Sequence, residues 1–246
     1  MPETQPPELT STVADLHTLM VTSPQVGHFL QHATQLARRL SGGSCSITVG
    51  SEHPYTVTPT DELAQRVDEG QYAEDAGPCL DAIRTASPTL VEDLDDDGPW
   101  PIYRARAREA GVRSSLSLPL TVAGSTIGGL NMYSTSPNSF GPPRRETLGT
   151  FAAQAAAALA MVQRHERSAQ TRAQLEEALS SRTVIDQALG IVMGQQRCTA
   201  EQALALLRTR SQHCNRRVRD VAADLIEQVT GAPPVPGTPF ADDEHG

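Results

Sequence analysis

The sequence predicts an α+β fold: an antiparallel sheet flanked by helices, then a long coiled-coil helix and a C-terminal three-helix module. Three observations carry this. Between Ser44 and Ser134 the apolar residues come in short, strand-like runs separated by turn residues and short helical stretches. After Pro142-Pro143, Leu148, Ala152, Ala155, Leu159 and Val162 repeat at alternating spacings of four and three. Behind them stand two further helical segments, bounded by a Thr199 cap and by Gly231.

The elements follow in order. Residues 1–10 and 231–246 are rich in Pro, Gly and acids and read as disordered tails. Residues 11–40 place apolar side chains at helical spacing and read as two helices broken at Ser23–Pro24. Strands are expected at Cys45–Val49, Tyr55–Thr58, Leu90–Leu94, Ser115–Leu120 and Ser125–Tyr133. A Glu52-His53-Pro54 turn follows the first strand, and Val122-Ala123-Gly124 closes a hairpin between the last two. Helices are expected at Asp61–Glu69, Pro78–Ala86 and Pro101–Ala110. The domain therefore covers 11–162, with a helical linker over 163–174 and the small module over 175–230.

The seam weakens over Gln163–Gln174 and resumes at Leu175, Leu179, Arg182, Ile185, Leu189 and Val192. A helix over 144–196 would be on the order of 80 Å long. Such a helix cannot bury its apolar stripe alone, so a parallel homodimer is expected; the alternative is that Leu148–Val162 packs back on the sheet. In the module, Thr199 and Gln202 stand as in a capping box, His213-Cys214-Asn215 makes a turn, and a last helix ends at Gly231.

Composition narrows the function. The chain of 246 residues is 38% hydrophobic and 20% charged, and its 20 basic residues are all Arg. Net charge is −9, yet Arg182–Arg219 holds seven Arg against Asp186 and Glu201, a local excess of +5 that leaves −14 on the rest. An acidic protein with one basic block is suited to meeting a polyanion at one face, although a helix face laced with ion pairs reads equally well. Ala155–Val162, the longest apolar run, is far short of the roughly 20 residues that span a bilayer. Met1–Thr10 has no signal-peptide pattern, and Cys45, Cys79, Cys198 and Cys214 form no C-x-x-C pair; a cytoplasmic protein with reduced thiols is expected. The Asp93–Asp97 run lacks the glycine spacing and closing Glu of a calcium loop, so it reads as a solvated turn and no metal is expected. No nucleophile–base pair or phosphate loop appears, and the chain reads as non-enzymatic.

Leu175–Val229 carries Ser181-Arg182, Val184-Ile185-Asp186-Gln187-Ala188-x-Gly190-Ile191-x-Met193, Thr199-Ala200-Glu201-Gln202-Ala203, Leu206-Leu207-Arg208 and Asn215-Arg216-x-Val218-x-x-Val221-Ala222. It resembles the ANTAR domain of RNA-binding transcription antitermination regulators. Many members have Lys between the Ala and Gly of the first motif, where this chain has Leu189. Upstream, Ala76-Gly77-Pro78-Cys79-Leu80-Asp81-Ala82, Pro99-Trp100-Pro101, Gly111–Leu120 and Ile127-Gly128-Gly129-Leu130-Asn131-Met132-Tyr133-Ser134 resemble a GAF domain. That resemblance implies a six-stranded or similar sheet and a pocket for a small molecule whose identity, like that of any cofactor, the sequence leaves unknown.

The ANTAR resemblance implies RNA as partner, in the form of tandem hairpin loops. Splayed bases and phosphates need Arg, amides and close backbone approach. Gly190 and Ala188 would leave room for a base, or pack tightly against the third helix. Arg216, Arg217 and Arg219 begin the last helix, where its dipole disfavours cations and a bound phosphate would relieve them. Arg182, Arg197 and Arg208 are equally well surface charges; Gln187 and Asn215 could read base edges, or Asn215 could cap the third helix. In the upstream domain Cys79, Trp100 and Asn131 are the pocket candidates. Cys79 sits at a helix start that would lower its thiol pKa, or is simply a small buried residue. Trp100 walls a pocket or plugs a domain edge. The rival functions are a ligand-sensing or partner-binding signalling protein without RNA binding, and a helical DNA-binding repressor.

Overall fold

Alternation decides the sheet. Ser44, Ser46 and Thr48 alternate with Cys45, Ile47 and Val49, so one side of the first strand is hydroxylic and the other apolar. The computed structural model, which describes residues 7–23, 25–50 and 55–234, uses that alternation in five antiparallel strands. They are β1 (Ser44–Val49), β2 (Tyr55–Pro59), β3 (Thr89–Val91), β4 (Ser114–Val122) and β5 (Ser125–Ser134), in the order β2-β1-β5-β4-β3. Five strands stand where six or a similar number were expected. β3 is three residues long, not the expected Leu90–Leu94, because the chain leaves the sheet after Val91; Leu94 instead donates its N–H to the Arg113 carbonyl at 2.8 Å. β4 and β5 turn on Ala123 and Gly124, both at positive φ (49° and 80°), the two-residue geometry that matches strand twist. The expected Glu52-His53-Pro54 turn lies outside the described residues.

Helices cover both sides. α1 (Pro7–Thr22) and α2 (Val26–Ser41) pack Leu16, Phe29, Leu30 and Ala33 against the apolar side of the sheet. α1 begins inside the segment expected as a tail. On the hydroxylic side lie α3 (Glu62–Ala73), α4 (Pro78–Thr85) and α5 (Pro101–Glu109), with Ala64, Val67, Tyr103 and Tyr133 in a second core cluster. Asp61 caps α3, its carboxylate accepting the Ala64 N–H. Pro78 and Pro101 occupy first-turn positions of α4 and α5, where a missing N–H costs nothing.

The long helix α6 runs over Pro142–Gln196. Leu148, Phe151, Ala152, Ala155, Leu159 and Val162 are buried in the first core cluster, so this part of the expected dimer seam is taken up by the chain's own sheet. Leu175 and Leu179, by contrast, are 61% and 59% exposed. The chain divides into two compact units at Arg167/Ser168. In the second, α7 (Ala200–Cys214) and α8 (Val218–Thr230) join the end of α6 around Val184, Ala188, Val192, Ala203, Leu207, Val221, Ala222 and Ile226. Thr199 and Gln202 form the capping box, each side chain accepting from the other's backbone N–H. Gly231 closes α8 in the left-handed conformation.

Candidate functional site

The basic side chains of the C-terminal unit sit where their helices put them. Asn215 does not cap α8: it ends α7 at φ 49°, and Arg217 holds the cap position of α8 without a side-chain hydrogen bond. α7 itself runs on through Cys214, so the turn is later than expected because Asn215 is the residue that tolerates the left-handed region. Arg216, Arg217 and Arg219 therefore cluster at the start of α8, and each is answered by a carboxylate. Arg216 is bidentate on Asp224, with Nη2 3.2 Å from Oδ1, and this holds the Asp224 carboxyl below the usual range. Arg217 and Arg219 both reach Glu177 of α6, at 3.6 and 3.8 Å. Arg182 pairs with Asp186 one turn on, at 3.8 Å.

Among the described residues, Arg197, Arg208 and Arg210 are exposed and hold no ion pair. Arg197 ends α6 at φ 52°. The basic excess counted over 182–219 is thus muted in space, since Glu177 and Asp224 lie just outside that window and fold onto it. Gln187 is exposed. Ala188 is fully buried in the core of this unit and offers no surface to a ligand, so its small size serves helix packing. Gly190 is exposed, and a Cβ added to it would meet nothing within 4 Å, so packing against α8 is not its reason. Leu189 packs against this unit's own core together with Ile185 and Val192, so these residues of the expected seam are taken up within the chain.

A groove of about 350 Å³ opens in the same unit, lined by the end of α6 and by facing residues of α7 and α8. Sequence reasoning missed it, because none of its ten lining residues was among the candidates. The available signal was Leu206, an apolar residue left 52% exposed one turn before Arg210.

In the first unit the pocket candidates fall in the layer between the sheet and α3–α5. Asn131, fully buried, donates through Nδ2 to Ser46 Oγ (3.3 Å), Thr48 Oγ1 (3.3 Å) and Asp68 Oδ1 (3.2 Å). Tyr133 donates to the same Asp68 oxygen and accepts from Gln71, whose Oε1 takes the Cys79 N–H at 2.8 Å. Asn131 Oδ1 and Ser117 Oγ, on residues paired across β4 and β5, are buried without a partner among the described residues. Cys79 is fully buried, and burial pushes its thiol up to about 12; the expected lowering at the start of α4 is outweighed by desolvation, with Asp68 adding to the rise. Gly129 makes room for it, since a Cβ there would stand 3.2 Å from the sulfur. Trp100 caps α5 at φ 60°, donates Nε1–H to Asp81 at 3.1 Å and packs at the margin of the second core cluster. Its indole hydrogen bond goes to Asp81 and not to the Asn131 network.

The Asp93–Asp97 loop is filled by the protein's own cations. Arg104 Nη1 takes the carbonyls of Asp93 (3.1 Å) and Asp96 (2.9 Å), while Arg113 grips the Asp93 carboxylate. The Asp95 N–H and Arg113 together hold the Asp93 carboxyl below its ordinary range. Among the described residues no group of three or more His, Cys, Asp or Glu could hold a metal ion.

Comparison with known proteins assigns both units. A GAF domain model matches residues 25–160 and an ANTAR domain model residues 173–226. The chain belongs to the GAF domain family and joins its GAF domain to an ANTAR domain. The GAF domain is similar to the phycoerythrobilin-bound GAF domain of a cyanobacterial phytochrome: 15% identity, TM-score 0.53, 64% of this chain and 97% of that one. It is also similar to free methionine-R-sulfoxide reductase from Neisseria meningitidis in complex with its substrate (16%, 0.50, 64% and 91%). A third likeness is to the chromophore-binding domain of an unusual bacteriophytochrome from R. palustris (11%, 0.51), where 65% of this chain covers 63% of that one. At such identities the likeness is one of fold. None of the curated proteins matches the chain. GAF and ANTAR domains are sensory and regulatory modules, and ANTAR is an RNA-binding antitermination module, so this GAF–ANTAR chain is a signalling regulator. No helix among the described residues is long and apolar enough to cross a membrane.

Proposed function

We propose that this GAF–ANTAR protein is a cytoplasmic transcription antiterminator whose ANTAR module captures RNA hairpins under the control of the GAF domain. The observation that carries the reading is the Arg216–Arg217–Arg219 cluster at the start of α8, held by carboxylates that a phosphate would replace. The positive end of the α8 dipole adds to the attraction for an anion there. Captured hairpins would favour an antiterminator RNA fold over a terminator; no bond is made or broken. Exposed Leu175 and Leu179, one turn apart on α6, support pairing with a second copy, which would offer two modules to two hairpins. On the GAF side, the orphan Asn131 Oδ1 and Ser117 Oγ support a small hydrogen-bonding ligand in the layer beneath the sheet. Four free cysteines accord with the cytoplasm.

Salt-dependent gel shifts with tandem hexaloop hairpins, single-stranded RNA and duplex DNA test the reading. Hairpins should bind tightest. A triple Arg216/Arg217/Arg219→Ala variant should bind less tightly and lower the salt slope by about 0.7–0.9 for each phosphate it no longer neutralises. Its mass in light scattering should equal that of the wild type. Preference for duplex DNA, or no hairpin binding at all, would overturn the assignment.

A further inference from the structure

The groove in the ANTAR module is unlike the Arg cluster in its chemistry. Val192, Leu206 and Leu225 give it an apolar wall, and Gln195, Gln228 and Arg210 give it amides and a cation. Half of its ten lining residues are amides or ions, so an apolar helix seated there would strand polar groups from water. An unstacked nucleobase has the complementary make-up: two apolar faces and a donor–acceptor edge. A volume of about 350 Å³ is at the small end of the range for small-molecule pockets, the size for one ring system and not for a peptide segment. Glutamine amides both donate and accept, as base edges require. Asp224, released when a phosphate takes its place on Arg216, brings a carboxylate that accepts from an exocyclic amino group. Arg210, exposed and without an ion pair among the described residues, stands at the groove for the phosphate beside that base.

We propose that this groove receives one base flipped out of the RNA loop, read by Gln195 and Gln228, while the start of α8 holds the backbone. The inference rests on the RNA reading above. It separates recognition from attraction within one module, with bases met at the groove and phosphates at the Arg cluster.

The test uses the full chain with tandem hexaloop hairpins, and the same RNA made abasic at each loop position in turn. The Gln195→Ala/Gln228→Ala double variant changes only exposed side chains, and its helical circular dichroism should match the wild type. It should bind the intact hairpins at least ten-fold more weakly with an unchanged salt slope, since every arginine that meets a phosphate is still in place. An abasic loop position that weakens wild-type binding should cost the double variant nothing further. If the wild type ignores the hairpins, the RNA reading and this inference fall together. If the wild type binds and the double variant binds equally well, or abasic penalties persist in it, the groove proposal alone fails. A change in the oligomeric mass of the double variant would make the groove an interface between copies and overturn it as well.

Discussion

At the scale of the residue, Gly190 is the most informative position. A glycine inside a helix costs about 1 kcal/mol relative to Ala and here has no packing partner to explain it. Gly190→Ala should therefore stabilise the ANTAR unit by about that amount in urea unfolding while weakening hairpin binding, because the added methyl stands where a backbone approach would occur. Unchanged binding with the same gain in stability would leave the glycine without an RNA role. Ala188, two residues earlier in the motif, differs: buried on all sides, it resists substitution for reasons of packing alone. Residue identity in a motif thus fails to tell an exposed position from a core position. Only the face each residue presents separates them, and the sequence left that ambiguous because small residues fall on both the buried and the exposed side of α6. Cys79 makes the same point in the GAF domain, where the helix start mattered less than complete desolvation.

At the scale of the element, the basic block and the long helix were legible in the sequence, and their use was not. Strand positions, the capping box and the Gly231 stop could be read because each rests on local periodicity or a cap. The heptad repeat of α6 could not show that Leu148–Val162 would be consumed by the sheet, because a helix packing on a sheet and one packing on its twin bury the same spacing. The groove was invisible because three separate helices build it, none with a distinctive motif. Ion pairing of the basic block was one of the two readings, but its partners were not legible, because Glu177 precedes Arg217 by forty residues and meets it only through the fold. That pairing gives the element its own prediction. Glu177 occupies the cations a phosphate would use, through two exposed pairs of modest strength. Glu177→Gln should therefore tighten hairpin binding about two- to five-fold and steepen its salt dependence, as more counterions are released. Weaker binding by this variant would mean that Glu177 positions the two arginines and does not compete for them.

At the scale of the whole molecule, the two units differ in what they bury, and alkaline pH should separate them. The GAF unit hides the Cys45 and Cys79 thiols, each raised by burial to about 12, and the Tyr103 and Tyr133 phenols, both raised by burial. The buried core of the ANTAR unit is made of Val, Ala, Leu and Ile. A group with a raised folded pKa favours the folded state fully below its unfolded value, about 8.5 for a thiol and 10 for a phenol. Above that value the unfolded chain releases a proton that the folded chain keeps, so stability falls as pH rises toward the folded value. Each thiol should steepen the fall by about 1.4 kcal/mol per pH unit between about pH 8.5 and 12, and the phenols add to it from about pH 10. Calorimetry across about pH 7–11 should show the GAF transition moving down from about pH 9 while the ANTAR transition moves less. Cys79→Ala, though it leaves a small void beside Gly129, should flatten that slope by one thiol's share. Two transitions falling in parallel, with a slope indifferent to Cys79, would show that the buried layer beneath the sheet opens to solvent before either unit melts.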